Sequence, residues 1–449
     1  MVSPGTFHVA GAGLCGALMA LLLARRGHPV EVWERRSDPR EGTGEAGRSI
    51  NLALSVRGLT ALRAAGLADE VLAQALPMRG RMLHGRDGTL THVPYGRAED
   101  AIWSVSRAGL NRLLIEAAAR HPGVSIHFGA AVQGLDASAG VLEVRRGERL
   151  DRHPLGESYL IAADGAWSAV RGNHLRRDRF SYTQQYISHG YRELTVPAGA
   201  DEKFQLAPDS LHIWPRGDFM MIALPNPDRT FTCTLFLRHD GATESFAALE
   251  DARYRDAFFG EHFGDLVPLL GSLGSQFARH PRSSLHWVKC APWDLDHRGV
   301  LLGDAAHAIV PFYGQGMNAA FEDCMLLDGL LASLDREEAP GPAVAAWAER
   351  RRVDTDAICD LALDNFVEMR ATTADPAWQA RKALEGAFME CFPETYRDLY
   401  GLVSFTTVPY DEARRQARAQ TAHLDEHPAT HLGMLSLGLL RRLAVAPPD

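Results

Sequence analysis

The stretch from Phe7 to Glu34 constrains this chain more than any other. Phe7-His8-Val9-Ala10 has strand character and runs into Gly11-Ala12-Gly13-Leu14-Cys15-Gly16, after which Ala17 to Arg25 is an apolar helical segment. Strand, glycine turn and helix in that order let the backbone turn tightly at Gly11, approach a pyrophosphate at Gly13 and pack helix on strand at Gly16. The helix N-terminus then favours the phosphate charge. A glycine-rich turn of another α/β protein uses the same residues, so spacing alone is weak. Context adds to it: a second strand, Pro29 to Trp33, ends in Glu34, near the offset of about 20 residues at which an acid accepts hydrogen bonds from an adenosine ribose. The pattern predicts an α/β, Rossmann-like dinucleotide-binding domain; the plain alternative leaves Glu34 a solvated strand end.

Two later segments repeat the theme. Ser158 to Ala163 reads as a buried strand ending in Asp164-Gly165, with Val170-Arg171 opening a helix; an acid at a strand's carboxyl end sits where doubly wound sheets bind ligands. Val300-Leu301-Leu302 is a third apolar strand. It leads into Gly303-Asp304-Ala305-Ala306-His307 and then Pro311-Phe312-Tyr313-Gly314-Gln315-Gly316-Met317-Asn318. Here a second glycine turn opens a helix whose amides suit an anionic or electron-accepting atom, and Asp304 suits a ribityl hydroxyl. A structural loop before a core helix is the alternative. Between these segments Tyr182 to Val196 and Phe231 to Leu237 have strand composition, and beyond them Ala343 to Arg370 and Trp378 to Met389 read as helices.

Charge and cysteine usage narrow the class. With 47 Lys+Arg against 56 Asp+Glu the net charge is −9, which argues against a nucleic-acid partner. Cys15, Cys233, Cys290, Cys324, Cys359 and Cys391 show no CxxC and no clustered histidines, so neither a zinc site nor a disulfide framework is expected and a reducing cytoplasm fits. No GxSxG elbow or paired-histidine spacing supports a hydrolase or a metal site. Leu14 to Leu23 lacks the basic residues and cleavage site of a signal peptide, and the apolar stretch His431 to Leu440 falls short of the roughly 20 residues of a membrane span.

Taken in order, the three segments resemble the FAD-dependent aromatic hydroxylases. More narrowly, Gly47 to Ser55, Met78 to Met82, Pro94-Tyr95-Gly96, Ser104 to Arg107, His212 to Arg216, Phe219 to Asn226, Asn365 to Arg370 and Leu399 to Phe405 resemble the kynurenine-hydroxylating branch of that family, from about residue 7 to about residue 415. The resemblance implies a substrate clamp of Arg81, Tyr95, Asn365 and Tyr400 on the amino-acid carboxylate of L-kynurenine. It implies FAD contacts at Gly11, Gly13, Cys15, Gly16, Glu34, Arg36, Ala53, Arg107, Val132, Asp164, Asp304, Pro311, Gly314, Gly316, Met317 and Asn318, several through the backbone, with Arg48 and Arg171 as further phosphate or cofactor neighbours. His307 is read as a packing and hydrogen-bonding residue, Phe312 and Met317 as apolar walls, and Tyr313 as a departure at a variable pocket position. No single side chain is assigned as catalytic acid or base, and no metal is expected.

The implied reaction consumes NADPH and O2 and hydroxylates the ring 3-position through a flavin C4a-hydroperoxide, the protein supplying position, dryness and charge. Only one dinucleotide fingerprint is present, so the reductant docks transiently. The expected layout is a discontinuous FAD domain (1–75, 101–180 and 290–335), an inserted β-sheet substrate domain (76–100 and 181–289) and a C-terminal helical region (336–449) closing the pocket, in a monomer or homodimer without a membrane span. Two other readings stay open: a hydroxylase of a modified kynurenine or other anthraniloyl amino acid, and a non-catalytic flavin-binding sensor.

Overall fold

Short apolar runs bounded by glycine turns form a parallel sheet in a computed structural model that describes residues 5–41, 51–97, 99–335, 338–371, 375–392 and 395–426. Arg48, and with it the first part of the Gly47 to Ser55 motif, lies outside the described residues, as does the segment His431 to Leu440. The chain divides into two compact units, one of residues 1–75, 104–187 and 284–363, the other of 76–103, 188–283 and 364–449. The C-terminal region read as one body from 336 onward is thus shared out, the division falling inside the long helix Gly341–Ala371.

In the first unit five parallel strands lie in the order Gly299–Leu301, Tyr159–Ala162, Phe7–Ala10, Val30–Glu34 and Val124–Phe128. Most of their side chains are buried, as expected of parallel strands covered on both faces. The helix Leu14–Arg25 is buried from Gly16 to Ala24, which explains its uniformly apolar sequence. It packs on the helix Gly316–Ser333, where the Cys15 and Cys324 sulfurs lie 3.5 Å apart. An antiparallel sheet of Arg149–Pro154, Val141–Arg146 and Ala130–Asp136 completes this unit's strands of note.

Beneath the glycine turns runs a buried ionic chain. Arg57, fully buried, meets Glu322 at 2.6 Å; Arg351 meets Glu322 and Asp323, each at 2.8 Å; His307 Nε2 lies 2.6 Å from Asp323. Pairs of this kind contribute little net stability when whole, but removing one member strands a buried charge at about 3–5 kcal/mol.

The second unit is built on an antiparallel sheet in which Phe231–Arg238, Met220–Pro225 and Ser210–Pro215 run side by side. Gly80–His84 joins Ser210–Pro215 in parallel and pairs with Leu90–Pro94 on its other edge. One face carries a dense aromatic core in which Trp214, Phe219, Phe231, Phe259 and Phe263 pack with the helix Ala252–His262. The helices Pro376–Cys391, Leu399–Ser404 and Tyr410–Glu426 belong to this unit.

Candidate active site

Sheet register brings the three nucleotide segments together. Ala10 is level with Ala162, and Ala162 with Leu301, so the turns that begin at Gly11, Asp164 and Gly303 leave the carboxyl ends of three adjacent strands, the edge at which such sheets bind ligands. Gly11 has φ +93°, and a Cβ there would come within 2.7 Å of the Ala163 carbonyl oxygen. Gly16 is excluded from change by helix packing, its Cβ position lying 1.9 Å from the Gly11 oxygen, whereas Gly13 and Gly316 have nothing within 4 Å of theirs. Open backbone is therefore present at both helix starts.

Glu34 ends its strand buried, and its carboxylate accepts the Ala12 N–H at 2.8 Å together with the Arg36 N–H at 2.8 Å and the Arg36 Nε–H at 2.9 Å. Burial pushes its pKa up, but the Arg36 guanidinium and the two amides outweigh it and hold it below the usual carboxylate range. Glu34 is thus tied to the glycine turn itself and keeps lone pairs for a ribose. Asp164 is the converse. Its Oδ2 accepts the Ala169 and Val170 amides at 2.8 and 3.2 Å, its Oδ1 is buried with no partner, and burial lifts its pKa above the usual range. An orphaned buried acceptor beside Gly11 fits a site whose remaining donor comes from a bound group.

Asn318 is the most heavily used side chain of the third segment. Its Oδ1 accepts the Ser55 N–H at 2.9 Å, and its Nδ2 donates to the carbonyls of Ala53 and Gly314, each at 2.8 Å. It therefore staples the end of strand Asn51–Leu54 to the Gly314 turn, where φ is +67°. Asp304 and Met317 are half-buried, Pro311 is exposed, and Phe312 and Tyr313 are buried. His307 is held by Asp323 and packs on Trp293 at 5.2 Å, as a structural histidine does.

The remaining cofactor candidates are spread over the same unit. Cys15 turns its sulfur toward Cys324 and the Ala320 carbonyl, and its own carbonyl accepts from the Cys324 thiol at 3.4 Å. Arg107 is an exposed first residue of the helix Arg107–Ala119, and Val132 is buried opposite Val144 in its ladder. Arg171 donates to the Ala305 carbonyl at 2.7 Å and the Ala166 carbonyl at 2.5 Å, stitching the Asp164 segment to the Asp304 segment rather than standing free for a phosphate. Asn111, which belongs to no motif, donates to the Ala12 carbonyl at 2.9 Å; a lone polar residue in an amphipathic helix carries no sequence signal of this.

In the second unit Arg81, Tyr95 and Tyr400 converge. The Tyr95 and Tyr400 rings stack at 5.0 Å and 19°, and the Arg81 guanidinium carbon lies 4.5 Å from the Tyr400 ring centre and 5.9 Å from that of Tyr95. Arg81 and Tyr95 are both buried. Burial, and then the neighbouring Tyr400, push the Tyr95 phenol well above its ordinary pKa, so it stays a hydrogen-bond donor at neutral pH. A buried guanidinium flanked by phenols is suited to a carboxylate. Tyr400 is positioned by Asp398, which caps the helix Leu399–Ser404 by accepting the Gly401 N–H at 2.8 Å, with Lys382 3.6 Å away. Asn365 is buried on the long helix, its amide 3.2 Å from the Met369 sulfur. Asp398 also lies within the field of Arg81, a neighbourhood that no local sequence pattern shows.

Known proteins resemble this chain over most of its length. A family model described as "FAD binding domain" matches residues 6–255 and 282–362. The chain is 46% identical over 407 residues to a kynurenine 3-monooxygenase of Myxococcus xanthus, covering 90% of this chain and 87% of that one. It is 42% identical over 413 residues to the kynurenine 3-monooxygenase of Stenotrophomonas maltophilia, covering 92% and 90%. Among solved structures, 2-methyl-3-hydroxypyridine-5-carboxylic acid oxygenase superposes with a TM-score of 0.67 at 21% identity over 87% of this chain and 98% of that one, a likeness of fold.

Proposed function

Because the chain belongs to the kynurenine 3-monooxygenase family of FAD-dependent aromatic hydroxylases, we propose that it binds L-kynurenine by its amino-acid end and hydroxylates the ring at the 3-position. The observation that carries the substrate is the Arg81, Tyr95 and Tyr400 cluster. Arg81 offers paired, charge-assisted hydrogen bonds to the α-carboxylate, each class of contact worth about 1.5–3 kcal/mol. The two stacked phenols fix the direction of that carboxylate, and Asn365 supplies an amide for the neighbouring polar atoms.

FAD, when bound, supplies the passage of electrons from NADPH to O2 and of one oxygen atom to the ring. Gly11, Gly13 and the amides at the start of Leu14–Arg25 would hold its diphosphate, Glu34 its ribose, and Asp304 with the Gly314 to Asn318 turn its ribityl and ring portions. Beyond these the protein's contribution is positional: a substrate fixed at one end by a buried clamp reacts from a narrow set of orientations. No helix among the described residues is long and apolar enough to cross a membrane, and six free cysteines support a cytoplasmic setting.

The test is NADPH oxidation by the purified, FAD-loaded protein with and without L-kynurenine, followed by mass analysis. Stimulated oxidation with a product heavier by one oxygen is the expected result. Stimulation yielding only H2O2 would redirect the reading to a modified kynurenine or another anthraniloyl amino acid, and no response would remove kynurenine as the substrate.

A further inference from the structure

The two phenols of the clamp come from segments far apart in the chain, and ring stacking by itself tolerates offset and tilt. Something else has to set their spacing. Tyr95 leads through Gly96 into a short turn, in which Asp100 Oδ2 accepts the Arg97 N–H at 3.2 Å and the Asp100 N–H donates to the Arg97 carbonyl at 3.0 Å. Both oxygens of the same carboxylate accept from Arg397 Nη2, at 3.0 and 3.1 Å, across 297 positions of sequence. Arg397 immediately precedes Asp398, the cap of the helix that carries Tyr400.

The same guanidinium also holds the far end of that helix. Arg397 Nη1 donates to the Phe405 carbonyl at 3.0 Å, and its Cζ lies 6.0 Å from the Phe405 ring centre. Phe405 closes the helix, and its ring stands 5.7 Å from that of Tyr95 and 5.9 Å from that of Tyr400. One side chain thus ties both ends of Leu399–Ser404 to the turn that follows Tyr95. Little water reaches the pair, with the Asp100 side chain 7% exposed and that of Arg397 14%, and a charge-assisted pair out of water holds its geometry firmly. Burial lifts the Asp100 pKa above the usual carboxylate range and the Arg397 guanidinium opposes that rise, so the charge on one partner depends on the other.

We propose that Arg397, acting through Asp100, is a positioning residue for the substrate clamp: it sets the separation of Tyr95 and Tyr400 around Arg81, and with it the grip on the carboxylate of the substrate. A guanidinium suits this task, because its planar fork donates to the Asp100 carboxylate and to the Phe405 carbonyl at once. An ammonium is a point charge without that fixed angle. All the residues involved belong to the second unit.

This inference rests on the proposed hydroxylase function, and a double-mutant cycle separates the two. Dissociation constants for L-kynurenine are read from the flavin spectrum of the FAD-loaded wild type, Arg397→Ala, Arg81→Ala and the double variant. Arg397→Ala is expected to weaken L-kynurenine about tenfold in the wild-type background and less than about threefold in the Arg81→Ala background, since spacing has no value once the group it serves is gone. Arg397→Lys, which keeps the charge but not the fork, should recover part of the loss. Asp100→Asn, which keeps an acceptor for the Arg97 amide, should repeat the pattern when carried through the same cycle, and it serves in place of Arg397→Ala if that variant does not fold. Equal loss in both backgrounds would overturn the positioning role and leave the pair an element of the fold. So would unaltered affinity in Arg397→Ala and Asp100→Asn with wild type binding normally. Failure of wild type itself to bind L-kynurenine would overturn the proposed substrate and the positioning role with it.

Discussion

The guanidinium carbon of Arg81 lies 4.5 Å from the centre of the Tyr400 ring, although the two residues are 319 positions apart in the chain. A cation over a ring face is attracted by the ring's quadrupole, and the same face limits the directions in which the guanidinium donates. The contact is therefore a property of two elements, the start of strand Gly80–His84 and the capped helix Leu399–Ser404.

Arg81→Ala should raise the Michaelis constant for L-kynurenine by roughly 10- to 150-fold, the equivalent of one charge-assisted interaction, while FAD content stays at the wild-type level. Tyr400→Phe, which keeps the ring under Arg81, should cost less than Tyr400→Ala. Steady-state kinetics beside a flavin absorbance spectrum checks both; equal effects of the two Tyr400 variants would mean that the hydroxyl, not the ring, is what counts.

Glu34→Ala removes the acceptor of the Ala12 amide and the partner of Arg36 together. FAD affinity should fall by about 5- to 150-fold, from the roughly 1–3 kcal/mol of leaving a buried donor unpaired. Fluorescence titration of the FAD-free protein measures it. Glu34→Gln, which keeps an acceptor without the charge, should fall between the two.

Asn318→Ala would leave the Ser55 amide without its acceptor and release Ala53 and Gly314. A loss of about 2–4 kcal/mol of stability is expected from these three bonds, seen as a lower denaturant midpoint. FAD retention should drop as well, since the backbone it staples is the backbone assigned to the flavin. A stability loss with FAD binding intact would separate the staple from the site.

Acid should weaken the second unit through His212. Burial, opposed by the Ala207 carbonyl and aided by the neighbouring His84, lowers its pKa to about 4. The unfolded chain takes up this proton near pH 6.5, the folded chain only near 4, so the contribution is whole above pH 6.5 and is lost as pH falls toward 4. It is worth about 3 kcal/mol by linkage. Urea unfolding at pH 7 and pH 4.5 should show the decline, and His212→Asn should flatten it.

Local chemistry makes much of this molecule readable from the chain alone. Periodicity and glycine placement locate the strands Phe7–Ala10, Tyr159–Ala162 and Phe231–Arg238 and the helix Gly341–Ala371 within a few residues, because each of these depends on neighbours in sequence. The acid at Glu34 is legible for the same reason, standing at the end of a strand that a glycine turn requires. The division of the C-terminal region between two units is not, since a continuous helical pattern gives no sign of which core each turn joins.

By itself the sequence determined the cofactor class, through glycines that admit no side chain and acids at strand ends, and it determined the family through motifs that carry the clamp residues one by one. Only the tertiary structure decided what those residues touch. Arg171 became a stitch between two loops, Asn318 a staple and His307 a partner of Asp323. The physical reason is that hydrogen bonds and ring contacts act over a few ångströms, and which residues come that close, across 265 positions for Ala53 and Asn318, is set by sheet order and helix packing rather than by any local pattern.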